Sequence, residues 1–112
     1  MSISLSTGEL DFGGAPDNRS VTPDRTVTVT NLSPVPAAFS PPTDVEGANA
    51  SNYIIINDTC GASLAPAPAA CHYTVEFTAN ALGAFDADLL IKVVGDPSSP
   101  FDVPLIGTGT FP

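Results

Sequence analysis

The clearest pattern in this chain is the strict alternation of apolar and polar residues over residues 71–78. The apolar positions are Cys71, Tyr73, Val75 and Phe77, and polar residues stand between them. A period of two with β-branched and aromatic residues predicts a half-buried strand. A longer alternation over residues 85–93 predicts a second such strand. Its apolar face holds Phe85, Ala87, Leu89, Ile91 and Val93, and its other face holds Asp86, Asp88, Leu90 and Lys92.

Shorter alternations predict five further strands, each bounded by turn-forming residues. They cover residues 3–12 with a break near Gly8, residues 20–31, residues 37–40, residues 53–56, and a last strand from Phe101 that ends in the Gly107-Thr108-Gly109 segment. Pro23 cannot donate a ladder hydrogen bond, so we expect that end of the second strand at an edge or bulge. Residues 13–18, 79–83 and 95–100 are predicted turns, and residues 43–52 a loop.

Seven short strands separated by turns are typical of an antiparallel β-sandwich of the immunoglobulin (Ig) type. The 112 residues suffice for one domain, residues 1–112, with one hydrophobic core. Trp is absent and the two cysteines lie close together in the sequence. The chain therefore lacks the core of antibody domains, and we predict membership of the wider Ig-like class.

The two cysteines, Cys60 and Cys71, are separated by ten small or turn-forming residues. Such a segment can double back and bring the two Cα atoms within disulfide distance. The alternative is a pair of free, buried thiols. A zinc site needs more ligands, and His72 is the only histidine of the sequence. A disulfide would indicate an oxidising compartment, or oxidation after release from a cell.

The charge balance and the scarcity of reactive groups exclude several functions. Twelve acidic residues against three basic ones give a net charge of −9, which argues against nucleic acid and anionic membranes as partners. No run approaches the ~18 apolar residues of a membrane span, so no membrane insertion is predicted. His72 falls on a polar strand face without a suggested nucleophile, so we predict no enzyme, no cofactor and no small-molecule substrate. Asp86 and Asp88 share a face but lack a glycine loop, which is a weak signal for calcium, and we predict no metal site.

Five segments, in order along the chain, carry a resemblance to a known family. They are residues 10–13 (LDFG), residues 26–31 (TVTVTN), residues 58–60 (DTC) with 64–66 (LAP) and Cys71, residues 74–78 (TVEFT) with Gly83, and residues 103–109 (VPLIGTG). They resemble the bacterial Ig-like domains labelled choice-of-anchor D, which are related to abnormal-spindle/Hydin (ASH) repeats and to the major sperm protein fold. Ala79 departs from the pattern, since the family often has proline there.

The resemblance implies a seven-stranded sandwich, a pairing of Cys60 with Cys71, and a structural or interaction module without an active site. We first predict a decoration (cement) protein on the outside of a phage capsid, at the virion surface. Its partner would be the major capsid protein or neighbouring copies of itself. This prediction follows from an acidic, compact chain that has its own Met1 and no visible secretion signal.

The alternative is an extracellular module of a secreted or cell-surface bacterial protein that mediates adhesion or protein–protein contacts. The family and the expected disulfide motivate it. Both predictions place binding at strand edges or loop ends, in residues 13–18, 79–83 and 95–100 and in the short first strand.

Overall fold

The computed structural model describes residues 3–39, 44–95 and 99–111. Almost all regular structure in these residues is β. The strands are β1 (Ile3–Leu5), β2 (Leu10–Pro16), β3 (Asp24–Asn31), β4 (Ala37–Ala38), β5 (Asp44–Glu46), β6 (Tyr53–Asp58), β7 (Ser63–Leu64), β8 (Ala70–Phe77), β9 (Gly83–Ile91) and β10 (Phe101–Thr110), and a 3₁₀-helix spans Ala50–Asn52.

Eight of these strands form two four-stranded sheets. Sheet 1 has the order β1-β3-β8-β6 and sheet 2 the order β2-β10-β9-β5, while β4 and β7 form a separate two-stranded sheet. Neighbouring strands are antiparallel except for β2 and β10, which are parallel. This arrangement confirms the predicted all-β, Ig-like sandwich.

The predicted break in the first strand is the point where the chain passes from one sheet to the other. β1 pairs with β3 in sheet 1, whereas β2 pairs with β10 in sheet 2. Ser6 marks the end of the first pairing, because its N–H donates to the Thr28 carbonyl at 2.9 Å and its hydroxyl accepts from the Thr28 N–H at 2.8 Å. Each half of the broken strand thus covers one edge of a different sheet.

The predicted turn over residues 13–18 is wrong for its first four residues, because β2 continues to Pro16. Gly13 has a φ of +67° and lies beside a register shift in the β2–β10 pairing. The glycine pair therefore belongs to a bulge within the strand, where a positive φ is needed.

The predicted strand over residues 37–40 is shorter in the structure, where β4 covers only Ala37–Ala38. After β4, Phe39 forms a bridge to Val93, and β5 then pairs with β9 further along. The predicted loop over residues 43–52 is thus wrong for Asp44–Glu46, because β9 supplies pairing partners that local sequence does not reveal. Ser40 and Thr43, at the ends of the predicted strand and loop, lie outside the described residues.

The alternation in β8 and β9 builds the core between the sheets. The predicted inward-facing residues of both strands are buried, and the other residues are half-buried or exposed, as predicted. Four aromatic rings form a cluster with centroids 5.0–6.0 Å apart, and they are Phe12, Tyr53, Phe77 and Phe85. Such tilted and stacked pairs add stabilisation beyond their buried area.

The two glycines of the closing segment allow other groups to approach β10 closely. A Cβ placed on Gly107 would lie 2.7 Å from the ring of Phe77, and one placed on Gly109 would overlap the Ala81 carbonyl oxygen. Both positions are buried. Glycine is therefore required at these two positions by packing rather than by backbone conformation.

Candidate interaction surfaces

The strand directions place the loops at two opposite ends of the sandwich. Residues 32–36, 59–69, 94–95 and 99–100 lie at one end, which we call the disulfide end. Residues 17–23, 47–52 and 78–82 lie at the opposite end. The segments predicted to make contacts are thus divided. Residues 95, 99 and 100 belong to the disulfide end, and 96–98 are outside the described residues. Residues 79–83, and 17–18 of the predicted segment 13–18, belong to the opposite end, while β1 is an edge of sheet 1.

A buried asparagine joins the loops of the disulfide end. Asn31 is fully buried at the end of β3, and its Nδ2 donates to the Val35 carbonyl at 2.9 Å and to the Ala65 carbonyl at 3.0 Å. Its Oδ1 accepts from the Ser33 N–H at 2.9 Å. One side chain therefore satisfies three backbone groups in two loops.

Further links fix the same two loops to each other and to the sheet. The Ala67 N–H donates to the Ser33 carbonyl, and the Asn31 N–H donates to the Ala69 carbonyl, both at 2.9 Å. The predicted disulfide between Cys60 and Cys71 is present, with the two Cα atoms 4.9 Å apart. The disulfide thus closes the second loop on β8, and hydrogen bonds join this loop to the first, before any partner binds.

The surface of the disulfide end is aliphatic. Leu32 and Val35 are half exposed on the first loop, and Val94 is exposed after β9. Residues 32–36 and 61–69 contain no charged residue, in a chain with a net charge of −9. Asp96 lies outside the described residues. An exposed aliphatic surface on fixed loops is suited to contact with another protein.

The six acidic residues of the sheet 2 strands lie on its outer face. They are Asp11 of β2, Asp44 and Glu46 of β5, Asp86 and Asp88 of β9, and Asp102 of β10. Desolvation, together with the neighbouring Asp88, raises the pKa of the Asp102 carboxyl. Within the described residues, no three His, Cys, Asp or Glu side chains are grouped to hold a metal ion.

Leu90 lies on this outer face among acids, as the alternation predicts. It is half buried, and its register partners on the two neighbouring strands are Asp44 and Asp102. The aliphatic side chain stands between carboxylates and is partly covered. It does not form an open apolar contact point by itself.

His72 is placed on the outer face of sheet 1 with polar neighbours. Its Nε2 lies 3.2 Å from Asn57 Nδ2, and its Nδ1 lies 3.4 Å from the Thr59 hydroxyl. Because the Asn57 amide is a donor, the ring accepts at Nε2. The ring thus orders the segment before Cys60 and contacts no carboxylate in the described part of the chain.

No helix in the described part of the chain is long and apolar enough to cross a membrane.

Comparisons with known proteins find relatives by structure and none by sequence. No model of a known protein family matches the chain, and no curated protein matches it. A secreted serine protease, VesC from Vibrio cholerae, is 17% identical with a TM-score of 0.69, and the match covers 96% of this chain and 23% of the protease.

Two further structures are smaller and are covered almost completely. The ASH/PapD-like domain 7 of human CEP192 is 13% identical with a TM-score of 0.59. The match covers 98% of this chain and 86% of that domain. WR4, a member of the major sperm protein family from C. elegans, is 13% identical with a TM-score of 0.52. The match covers 96% of this chain and 97% of WR4.

These likenesses define the class: an Ig-like β-sandwich whose structural neighbours include ASH/PapD-like and major sperm protein domains. The chain spans about a quarter of VesC, and a likeness at 17% identity shows the fold alone and not the activity of the protease.

Proposed function

We propose that this chain is a non-catalytic module that binds another protein through the aliphatic surface of its disulfide end. One contrast supports this proposal: Leu32 and Val35 are exposed on a loop without charged residues, which is hydrogen-bonded to the loop closed by the disulfide, while the chain as a whole has a net charge of −9. Loops that are ordered before contact lose less conformational entropy on binding. The five sequence segments and the ASH/PapD-like neighbour support the assignment to the choice-of-anchor D/ASH group.

Two assemblies remain open to this module. In the first, it decorates a phage capsid and contacts the major capsid protein or neighbouring copies. In the second, it is part of a secreted or cell-surface bacterial protein. We favour the second, because the match to about a quarter of a secreted protease has the form of one module in a longer protein. The disulfide also suits an oxidising, extracellular location.

Sedimentation of native source material, followed with an antibody to this chain, separates the two assemblies. A chain that travels with particles of virion size is a capsid component. A chain found in the cell-envelope fraction or among secreted proteins belongs to the second assembly, and analysis of neighbouring domains then follows.

The contact surface is tested with two matched valines. Val35 at the disulfide end and Val21 at the opposite end are 50% and 53% exposed. Val35→Asp should weaken binding to the isolated partner by about tenfold or more, as for a contact at the centre of an interface. Val21→Asp introduces the same charge elsewhere and should leave binding unchanged. Equal effects of the two variants would contradict the proposed surface.

A further inference from the structure

A polar groove of about 510 Å³ lies at the opposite end of the sandwich. It is built from the turn after β2, the 3₁₀-helix, the start of β6 and the end of β8, and its polar lining includes Arg19, Ser51, Asn52, Glu76 and Asn80. Its volume falls within the range of ligand pockets, roughly 300–1,000 Å³. The groove is far from the aliphatic loops, so its test is independent of the function proposed above.

Arg19 holds an unfavourable backbone conformation at this groove. Its φ is +63°, the one positive value among the described non-glycine residues. The turn is held by the Arg19 N–H, which donates to the Pro16 carbonyl at 3.3 Å, and by the Ser20 N–H, which donates to Asn18 Oδ1 at 3.0 Å. Glycine would adopt this conformation without cost. An arginine kept in such a position is a reason to look for a function of its side chain.

The guanidinium of Arg19 has no hydrogen bond or ion pair to any described residue. By contrast, Arg25 donates to the backbone carbonyls of Asp11 at 3.2 Å and Asp24 at 2.7 Å. Arg19 lines the groove, and its guanidinium donors are without partners among the described residues. Its planar fork matches a carboxylate in a bidentate pair, which is stronger than a neutral hydrogen bond.

The rest of the lining suits an extended peptide segment around such a carboxylate. Asn52 Nδ2 donates to the Thr78 carbonyl at 2.8 Å and to Asn80 Oδ1 at 3.2 Å, which leaves the Asn80 amide nitrogen as a further donor. Ile54 contributes an aliphatic surface that is 57% exposed. Glu76 supplies an acceptor for an N–H group, and it also repels a misplaced anion.

We propose that this groove binds an extended segment of another protein, with an Asp or Glu side chain of that segment paired to Arg19. An aliphatic side chain next to the acid covers Ile54. The segment is acidic rather than basic because the unpaired donors of the groove, on Arg19 and Asn80, select a carboxylate. Glu76 lowers the affinity and orients the segment through its backbone N–H groups.

The test is an NMR titration of the ¹⁵N-labelled chain with acetyl-Leu-Asp-Leu-amide, acetyl-Leu-Asn-Leu-amide and sodium acetate. The aspartyl peptide should shift the amide signals of the groove, and the asparaginyl peptide should bind about tenfold more weakly, since a charge-assisted pair is replaced by a neutral one. Acetate alone should bind more weakly than the aspartyl peptide. Equal affinity for both peptides, or for acetate and the aspartyl peptide, would overturn the proposal.

Variants locate the binding site. Arg19→Gln should weaken binding of the aspartyl peptide about tenfold, whereas Glu76→Gln should tighten it severalfold because a repelling charge is removed. Lys92→Gln, which removes a cation from the outer face of the other sheet, is the matched control and should have no effect. If Arg19→Gln behaved like Lys92→Gln, Arg19 would not hold the carboxylate.

Arg19→Gly distinguishes an arginine that binds the peptide from one that only stabilises the turn, because the Tm and the peptide affinity should change in opposite directions. The glycine relieves the positive φ, so the Tm should rise by a few degrees, about 4 °C, while binding of the aspartyl peptide is lost. A variant with a raised Tm and full binding would contradict the proposed role. A lowered Tm would show that the arginine stabilises the turn, and it would remove the backbone argument for a function.

Discussion

Substitution of Asn31 by alanine should destabilise the domain far more than its single side chain suggests. The side chain makes three hydrogen bonds to backbone groups of two loops and is fully buried. Each hydrogen bond contributes about 0.5–1.5 kcal/mol, and a buried group left without a partner costs about 1–3 kcal/mol. We expect a loss of about 3 kcal/mol, against a total stability of about 5–15 kcal/mol for a domain.

Urea unfolding followed by far-UV circular dichroism measures this loss. The chain has no Trp, so backbone ellipticity is a better signal than intrinsic fluorescence. Asn57→Ala is the control, because Asn57 is exposed and its amide makes one side-chain contact, to His72. The control should lose less than about 1 kcal/mol. A loss for Asn31→Ala as small as that of the control would refute the reasoning.

Asn31→Asp removes the side-chain donor of Asn31 and keeps its acceptor oxygen. The remaining oxygen still accepts from Ser33, but the other oxygen faces the Val35 and Ala65 carbonyls, where the amide nitrogen was. A protonated carboxyl can donate to one of these carbonyls, so the pKa of this group should be raised in the folded state. The variant should therefore gain stability relative to wild type as the pH falls from 7 to about 4. An unchanged difference would show that the amide donor is not needed.

Three further outcomes are expected. Gly109→Ala should lower the free energy of unfolding by about 3 kcal/mol or prevent folding, since its Cβ would overlap the Ala81 backbone; thermal unfolding measures this. Reduction of the Cys60–Cys71 disulfide should cost about 2–3 kcal/mol, measured by urea unfolding with and without reductant. Burial raises the pKa of the Tyr53 hydroxyl, so its contribution to stability should be lost as the pH rises above about 10, and Tyr53→Phe should be less sensitive to alkali.

Alternation in the sequence was sufficient to predict the central strands, because each has one face in the core. β8 and β9 follow the pattern over their whole length. β5 was missed because two of its three residues are acidic, and it exists through pairing with β9. The burial of Asn31 could have been predicted, because the period of two places it on the same inward face as Val27 and Val29.

No pattern in the sequence predicts the groove at the opposite end. Its residues come from three separate loop regions, around Arg19, Asn52 and Asn80, and from the ends of β6 and β8. Only the fold brings them together. The positive φ of Arg19 is likewise invisible before the structure, since arginine is not a residue that marks such a turn.

The edges of both sheets are poorly suited to pairing with another chain, which narrows the surfaces available to a partner. β1 and β5 each have only three residues, and two of those in β5 are acidic. The other two edge strands, β2 and β6, are longer, but the register shifts within the pairing of each: between Ile106 and Gly107 on the partner of β2, and between Ile55 and Asn57 in β6. Short, charged and bulged edges are the features by which proteins prevent edge-to-edge association.

The acidic outer face of sheet 2 would likewise repel a second copy laid against it. The loop ends remain, and they differ: one is aliphatic and crosslinked, and the other contains a polar groove with an unpaired arginine. A domain with two different ends can contact two different partners at once, or join unlike ends of neighbouring copies in a row. Contacts between unlike ends do not close on themselves as a two-fold dimer does. This geometry suits a module in a longer chain of domains better than a self-contained dimer.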